Sequence, residues 1–145
     1  MPIRVLLVED SPAMRTFVGS VLESAGEYVV EEVKDGIDAL RLVPRAEFDL
    51  VITDINMPDI NGLELIHAIR QHPRHVRTPL IVITTNDRER DSQRALKLGA
   101  AEVLTKPFTR EALLATVARV MEAARTSAAP TDPTRRPVRG PGGDG

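Results

Sequence analysis

No cysteine occurs anywhere in the 145 residues, which removes disulfides, thiolate metal sites and thiol nucleophiles from consideration and suits a reducing compartment. Charge of one sign is also scarce: the formal net charge is −2 and the sequence pI is about 5.9. Without a broad basic face, nothing draws the chain to nucleic acid or anionic lipid irrespective of sequence. Long hydrophobic runs are missing as well. The first apolar stretch, in MPIRVLLVED, is cut off by Glu9 and Asp10, too early for a signal-peptide core or a membrane span. These absences lead to the expectation of a soluble, cytoplasmic protein with no direct nucleic-acid or membrane contact. At 42% hydrophobic residues, the chain can bury one ordinary core without disulfide or zinc support.

What is present is a strict alternation of two patterns. IRVLLV at 3–8, FDLVIT at 48–53 and PLIVIT at 79–84 are short, continuous apolar runs rich in Val and Ile, as suits parallel strands covered by helices on both faces. YVVEEV at 28–33 and EVLT at 102–105 carry polar residues and read as edge strands. Between them lie helical spacings. Met14, Phe17, Val18, Val21, Leu22 and Ala25 share one face, with Ser11 and Pro12 as cap and first turn and Gly26 as the stop. Ile37, Leu40 and Val43 form a second pattern clipped by Pro44, and Leu63, Ile66 and Ile69 a third after Gly62. A fourth runs from about Arg88 to Leu98 and closes at Gly99. The last starts at the cap candidate Thr109 and carries Leu113, Val117, Val120 and Met121. Strand and helix thus alternate five times at the length of a right-handed crossover unit, which predicts an open α/β sandwich with a parallel sheet. After about Ala128 proline and glycine make up half of PTDPTRRPVRGPGGDG, so the expected division is one domain over 1–126 and a disordered Pro/Gly-rich tail over 127–145.

In open α/β sheets the site lies beyond the carboxyl ends of the strands. The residues found there are Glu9 and Asp10 after the first strand, Asp54 after the third, Thr84 on the fourth, and Lys106 followed by Pro107 after the fifth. Carboxylates brought about 4 Å apart at an effective dielectric near 20 repel by roughly 4 kcal/mol per pair. A hard divalent cation with oxygen ligands relieves that repulsion, and few carboxylates with room for water and a phosphate oxygen favour Mg²⁺ over a caged Ca²⁺. With Lys106 and the Thr84 hydroxyl on phosphoryl oxygens, Asp54, alone on the central strand, can act as an in-line nucleophile and become an acyl phosphate.

Taken singly, each residue has a plainer explanation. Glu9 and Asp10 suit the positive end of the first helix, Thr84 suits a strand, Lys106 a solvated surface, and Asp54 a turn before Pro58 and Gly62. Their joint placement at successive strand ends is what those explanations leave unexplained. Of His67, His72 and His75, two lie in a polar, Pro-containing loop with no second carboxylate or thiol nearby, so they read as a solvated loop rather than a metal cluster. Arg135, Arg136 and Arg139 read as a solubilising tail, not a nucleic-acid arm.

VLLVEDSPAMR, VITDINMPDINGLELI, VITTN and LTKPF resemble, in order and spacing, the four signature blocks of response-regulator receiver domains, in particular the single-domain CheY-like type, over about residues 2–126. The resemblance implies the flavodoxin/CheY-like (βα)5 three-layer fold with strand order 2-1-3-4-5, the order known for CheY itself. It also implies a two-component phosphorelay role in which a histidine kinase or phosphotransfer protein donates a phosphoryl group to Asp54. Asp10, Asp54 and the Asn56 carbonyl would ligate Mg²⁺, Glu9 would hold a metal-bound water, and Thr84 and Lys106 would contact the phosphoryl group, with a cis Lys106–Pro107 peptide. An effector protein would read the state from the fourth helix, fifth strand and fifth helix. One departure stands out: where chemotaxis-type members place an aromatic three residues before the lysine, this chain has Val103, so transmission is expected through the Thr85–Arg88 loop and the fourth helix. Asn56 and Asn86 occupy positions that tune phosphoryl lifetime in the family.

Two other classes compete. An aspartate-based phosphatase would carry a second aspartate as acid and base where this chain has Asn56. A flavodoxin-like binding module shares the architecture, but Glu9 and Asp10 would repel the anion that its phosphate cradle must hold.

Overall fold

A computed structural model describes residues 2–85 and 89–128. In chain order the elements are β1 (Ile3–Val8), α1 (Pro12–Ser24), β2 (Tyr28–Val33), α2 (Gly36–Leu42), β3 (Leu50–Asp54), α3 (Gly62–Gln71), a single 3₁₀ turn (Pro73–His75), β4 (Leu80–Thr85), α4 (Glu89–Leu98), β5 (Glu102–Lys106) and α5 (Arg110–Ala128). All strands are parallel, in the order β2-β1-β3-β4-β5. The expected α/β sandwich, with the polar segments at the sheet edges, is the fold observed.

The continuous apolar runs become the middle of the sheet because side chains on both faces are buried. Val5, Leu6, Leu7 and Val8 of β1, Leu50, Val51 and Ile52 of β3 and Leu80 to Ile83 of β4 have no exposed surface. Their side chains alternate between two apolar layers. Val5, Leu7, Leu50, Ile52, Ile81 and Ile83 pack with Val18, Leu22, Leu113 and Val117 of α1 and α5. Leu6, Val8, Val51, Leu80 and Val82 pack with Ala39, Leu65, Ile66, Ile69 and Ala95 of α2, α3 and α4. Each fully buried Leu, Ile or Val contributes roughly 1.5–3 kcal/mol of transfer free energy, so these layers hold the strand ends in place.

The helix boundaries follow the capping chemistry. Ser11 Oγ accepts from the Met14 N–H, with Pro12 in the first turn of α1. Asn61 and Glu64 form a reciprocal capping box at the start of α3, and Thr109 Oγ1 accepts from the Ala112 N–H. Gly26 and Gly99 end their helices at φ 91° and 116°, backbone angles open to glycine at little cost.

Several expected core positions moved. Phe17 and Ile37 are exposed at 38% and 41%. Phe17 lies at the edge of the α1 stripe, its ring 6.0 Å from that of Phe108. Ile37 stands in the first turn of a seven-residue helix, where Ala39 and Val43 take the buried places. Leu65 is fully buried on α3, although the spacing singled out Leu63, because a helix packed against a sheet and two neighbours buries more than one narrow stripe. No helix among the described residues is long and apolar enough to cross a membrane. The expected tail falls from residue 129 onward outside the described residues, as do Arg135, Arg136 and Arg139.

Candidate functional site

Parallel strands that end together deliver their last residues to one side of the sheet. β1 and β3 are in register from Val5↔Leu50 to Val8↔Thr53, which leaves Glu9 and Asp10 beside Asp54. Asp54 pairs with Ile83, one residue before Thr84, and Thr85 pairs with Lys106. The sheet register alone therefore brings Glu9, Asp10, Asp54, Thr84 and Lys106 to one edge.

Carboxylate oxygens of Glu9, Asp10 and Asp54 lie within 4.8 Å of one another. Glu9 and Asp54 are buried and Asp10 is exposed. At that separation and an effective dielectric near 20, each charged pair costs about 3 kcal/mol. Lys106 answers part of it: its ammonium donates to Asp54 Oδ2 at 3.1 Å and stands 3.8 Å from Glu9 Oε1. The Lys106–Pro107 peptide is cis. The other Asp54 oxygen, Oδ1, accepts from the Asn56 N–H at 3.2 Å. Thr84 is buried, and among the described residues its hydroxyl makes only a long 3.4 Å contact to the Thr85 carbonyl, a weak engagement of that donor.

Glu9 shows the clearest electrostatic tension. One oxygen, Oε2, accepts from the Ser11 N–H at 3.0 Å. The other, Oε1, is buried with no hydrogen-bond partner among the described residues. Burial pushes the Glu9 carboxyl up to about 7, and the charge of Asp54 adds to the rise, while the Ser11 N–H and Lys106 oppose it. A buried carboxylate oxygen without a donor, next to two further carboxylates and one lysine, is the arrangement that a hard divalent cation with oxygen ligands would satisfy. The residues present therefore fit such an ion.

Gly62, read from sequence only as part of a turn, has a specific task here. A Cβ at that position would lie 2.6 Å from the Asp54 carbonyl oxygen and 2.8 Å from Ile55 Cα, so the start of α3 can rest against the Asp54 backbone only without a side chain. Its N–H donates to the Ile55 carbonyl at 2.8 Å. A glycine opening an apolar helical pattern was the signal in the sequence. Val103 is half-buried against the apolar layer that contains Val82, Ala95 and Ala100. Of the Thr85–Arg88 loop, residues 86–88 lie outside the described residues.

The histidines do not join the site. His75, expected in a solvated region, is buried instead. Its Nε2 faces the Val43 and Ala46 carbonyls, each at 3.1 Å, and its Nδ1 faces Thr78 Oγ1 at 2.9 Å. Since carbonyls only accept, Nε2 carries the proton and the Thr78 hydroxyl donates to Nδ1. Among the described residues, Glu9, Asp10 and Asp54 are the sole cluster of His, Asp or Glu placed to hold a metal. A broad cleft of about 1220 Å³ lined by Tyr28, Phe48, Val76 and Met121 does not include Glu9, Asp10 or Asp54.

The comparisons agree with this geometry. The response regulator receiver domain family matches residues 5–118. Chemotaxis protein CheY1 of Helicobacter pylori is 36% identical over 111 residues, covering 76% of this chain and 90% of that one. The transcriptional regulatory protein TrcR of Mycobacterium tuberculosis is 38% identical over 114 residues, 79% of this chain but only 43% of that longer protein. Among solved structures, chemotaxis protein CheY4 of Vibrio cholerae superposes with a TM-score of 0.78 at 38% identity, covering 83% of this chain and 99% of that one. The receiver domain of the sensor histidine kinase PA1611 of Pseudomonas aeruginosa, which has a magnesium ion coordinated in its active-site cleft, gives 0.77 at 33% identity, covering 84% and 99%. Matched along most of its described length and carrying the acidic cluster and lysine at its strand ends, this chain belongs to the response regulator receiver domain family of two-component phosphorelay signalling.

Proposed function

We propose that Asp54 is the phosphoacceptor and that the switch unit is residues 1–126. The observation that carries this reading is the buried Asp54 carboxylate held 3.1 Å from Lys106 Nζ inside a cluster of three carboxylates. An Asp54 oxygen attacks phosphorus of a phosphohistidine on a histidine kinase or phosphotransfer protein. The new O–P bond forms as the P–N bond breaks, and the imidazole leaves with its electron pair and takes up a proton. Lys106 turns from Asp54 toward a phosphoryl oxygen, and the weakly engaged Thr84 hydroxyl donates to another. Asp10, Asp54 and the Asn56 carbonyl would hold Mg²⁺, with Glu9 reaching it through water. When bound, the ion neutralises charge on the carboxylates and the transferring group.

The product is a covalent switch state rather than a released substrate, so the protein works as a phosphoacceptor, with no turnover beyond its own phosphorylation and dephosphorylation. Asn56 stands where an aspartate-based phosphatase needs an acid, which argues against sustained hydrolysis of external esters. The α4, β5 and α5 face is proposed to carry the state to an effector protein in the cytoplasm, with Val103 packing in place of a swinging ring.

Incubation with acetyl phosphate and Mg²⁺, followed by intact-mass measurement, tests the reading directly. The expected result is a single phosphoryl adduct on the wild type that chelator prevents and Asp54→Asn abolishes. Absence of an adduct on the wild type under these conditions would overturn it.

A further inference from the structure

The turn that carries two of the three carboxylates is held from behind by a residue outside the cluster. Arg15, one helical turn into α1, donates from its guanidinium to the Glu9 backbone carbonyl at 2.7 Å. That carbonyl belongs to the peptide joining Glu9 to Asp10. A charge-assisted bond to it sets the plane of that peptide and, with it, the directions in which both acidic side chains leave the backbone. The same turn is also held by the Ser11 N–H, which donates to Glu9 Oε2 at 3.0 Å. Glu9 is therefore tied to the cap and first turns of α1 through both its side chain and its backbone carbonyl.

Arg15 itself is steered from the edge of the sheet. Glu32 on β2 places Oε1 at 4.0 Å from Arg15 Nε. It can lie across α1 because Gly19, one turn after Arg15, has no side chain: a Cβ there would meet Glu32 Oε2 at 2.2 Å. Since the Glu32 end of this pair is partly exposed and at the distance limit, its own contribution is small, and the hydrogen bond to Glu9 carries the effect.

We propose that Arg15 is a positioning residue of the divalent-cation site, acting through the Glu9–Asp10 peptide and not by touching the ion. Two physical effects of removing it have opposite signs. Loss of a positive charge near three carboxylates makes a cation bind more tightly. Release of the acidic corner makes it bind more weakly, and supporting contacts of this kind are typically worth tenfold or more in metal affinity. The sign of the change therefore separates positioning from simple electrostatics.

This inference rests on the proposed metal site, and the experiment separates the two. Mg²⁺ is titrated into wild type, Arg15→Met and Arg15→Lys, with the dissociation constant read by calorimetry or backbone NMR shifts well below each variant's melting temperature. Methionine keeps the packing of the stem without a donor, and lysine keeps both charge and donor. The expected result is Mg²⁺ binding by the wild type, about tenfold weaker binding by Arg15→Met, and rescue to within about threefold by Arg15→Lys. Unchanged or tighter binding by Arg15→Met overturns the positioning role while leaving the site intact. Equal weakening in both variants also overturns it, because a merely structural role would not discriminate by donor. No Mg²⁺ binding by the wild type overturns the site and this inference together. If Arg15→Met does not fold, Arg15→Leu, which likewise keeps an apolar stem without a donor, replaces it under the same criteria.

Discussion

Two buried polar centres in this protein are built to opposite standards. Around His75 every ring nitrogen has a partner, and the neighbouring Arg70 guanidinium donates to the His75, Thr78 and Gly99 carbonyls at 3.0, 2.7 and 2.9 Å. Around Glu9 the carboxylates crowd within 4.8 Å, and one buried oxygen has no hydrogen-bond partner among the described residues. The first centre ties the loop after α2 to the turn after α3 and to the end of α4, and it is complete without any ligand. The second is incomplete as a piece of structure. Satisfied polar groups stabilise, whereas a cluster left short of positive charge fits a divalent cation.

The largest expected effect would come from breaking the satisfied centre. His75→Ala removes its hydrogen bonds and leaves the Val43 and Ala46 carbonyls without their donor, so unfolding in urea should show a loss of about 4 kcal/mol. Mg²⁺ affinity should stay within about twofold. A large drop in Mg²⁺ affinity without loss of stability would show that the two centres are not independent.

A somewhat smaller effect should come from relieving the strained one. Because Glu9 titrates at about 7 when folded and near 4.5 when unfolded, the folded state holds its proton more tightly. The stabilisation from protonation is complete below about 4.5 and is lost as pH rises through 7. In chelator, Glu9→Gln should therefore be more stable than wild type at alkaline pH, by at most about 3 kcal/mol, with the difference shrinking as pH falls through this window. Mg²⁺ should stabilise wild type most above pH 7, where it no longer competes with the Glu9 proton. A difference between the two proteins that does not change with pH would contradict the raised value.

The smallest change should follow Asp10→Asn, since Asp10 is exposed. Removing one of the mutually repelling charges should raise the melting temperature of the metal-free protein by about 3 °C and reduce the further rise that Mg²⁺ produces. A lower melting temperature for the metal-free variant would mean that the carboxylates do not repel as the geometry indicates.

Much of the site was legible because its residues follow directly on apolar runs. Glu9, Asp10, Asp54, Thr84 and Lys106 could be located by strand ends alone, since parallel strands with a common direction must release their chains at the same edge. The roles of Arg15 and Gly62 could not be found that way. Each depends on a backbone atom of another segment: the Glu9 carbonyl for one and the Asp54 carbonyl for the other. His75 was misjudged for a related reason. Its polar neighbourhood in sequence, with Pro73, Arg74 and Arg77, suggests solvent, yet the carbonyls that bury it belong to Val43 and Ala46, some thirty residues away.

By itself the sequence determined the alternation of strands and helices, the division of the sheet into a buried middle and polar edges, and the identity of the residues at the carboxyl ends of the strands. These properties depend on hydrophobic periodicity, which is local and additive along the chain. Only the tertiary structure decided which polar groups find partners. It left Glu9 Oε1 short of a donor, placed Arg15 behind the acidic turn and satisfied His75 from a distant loop. Hydrogen bonds and charge pairs act over a few ångströms in space, and they are decided where separate segments meet rather than where each segment is written.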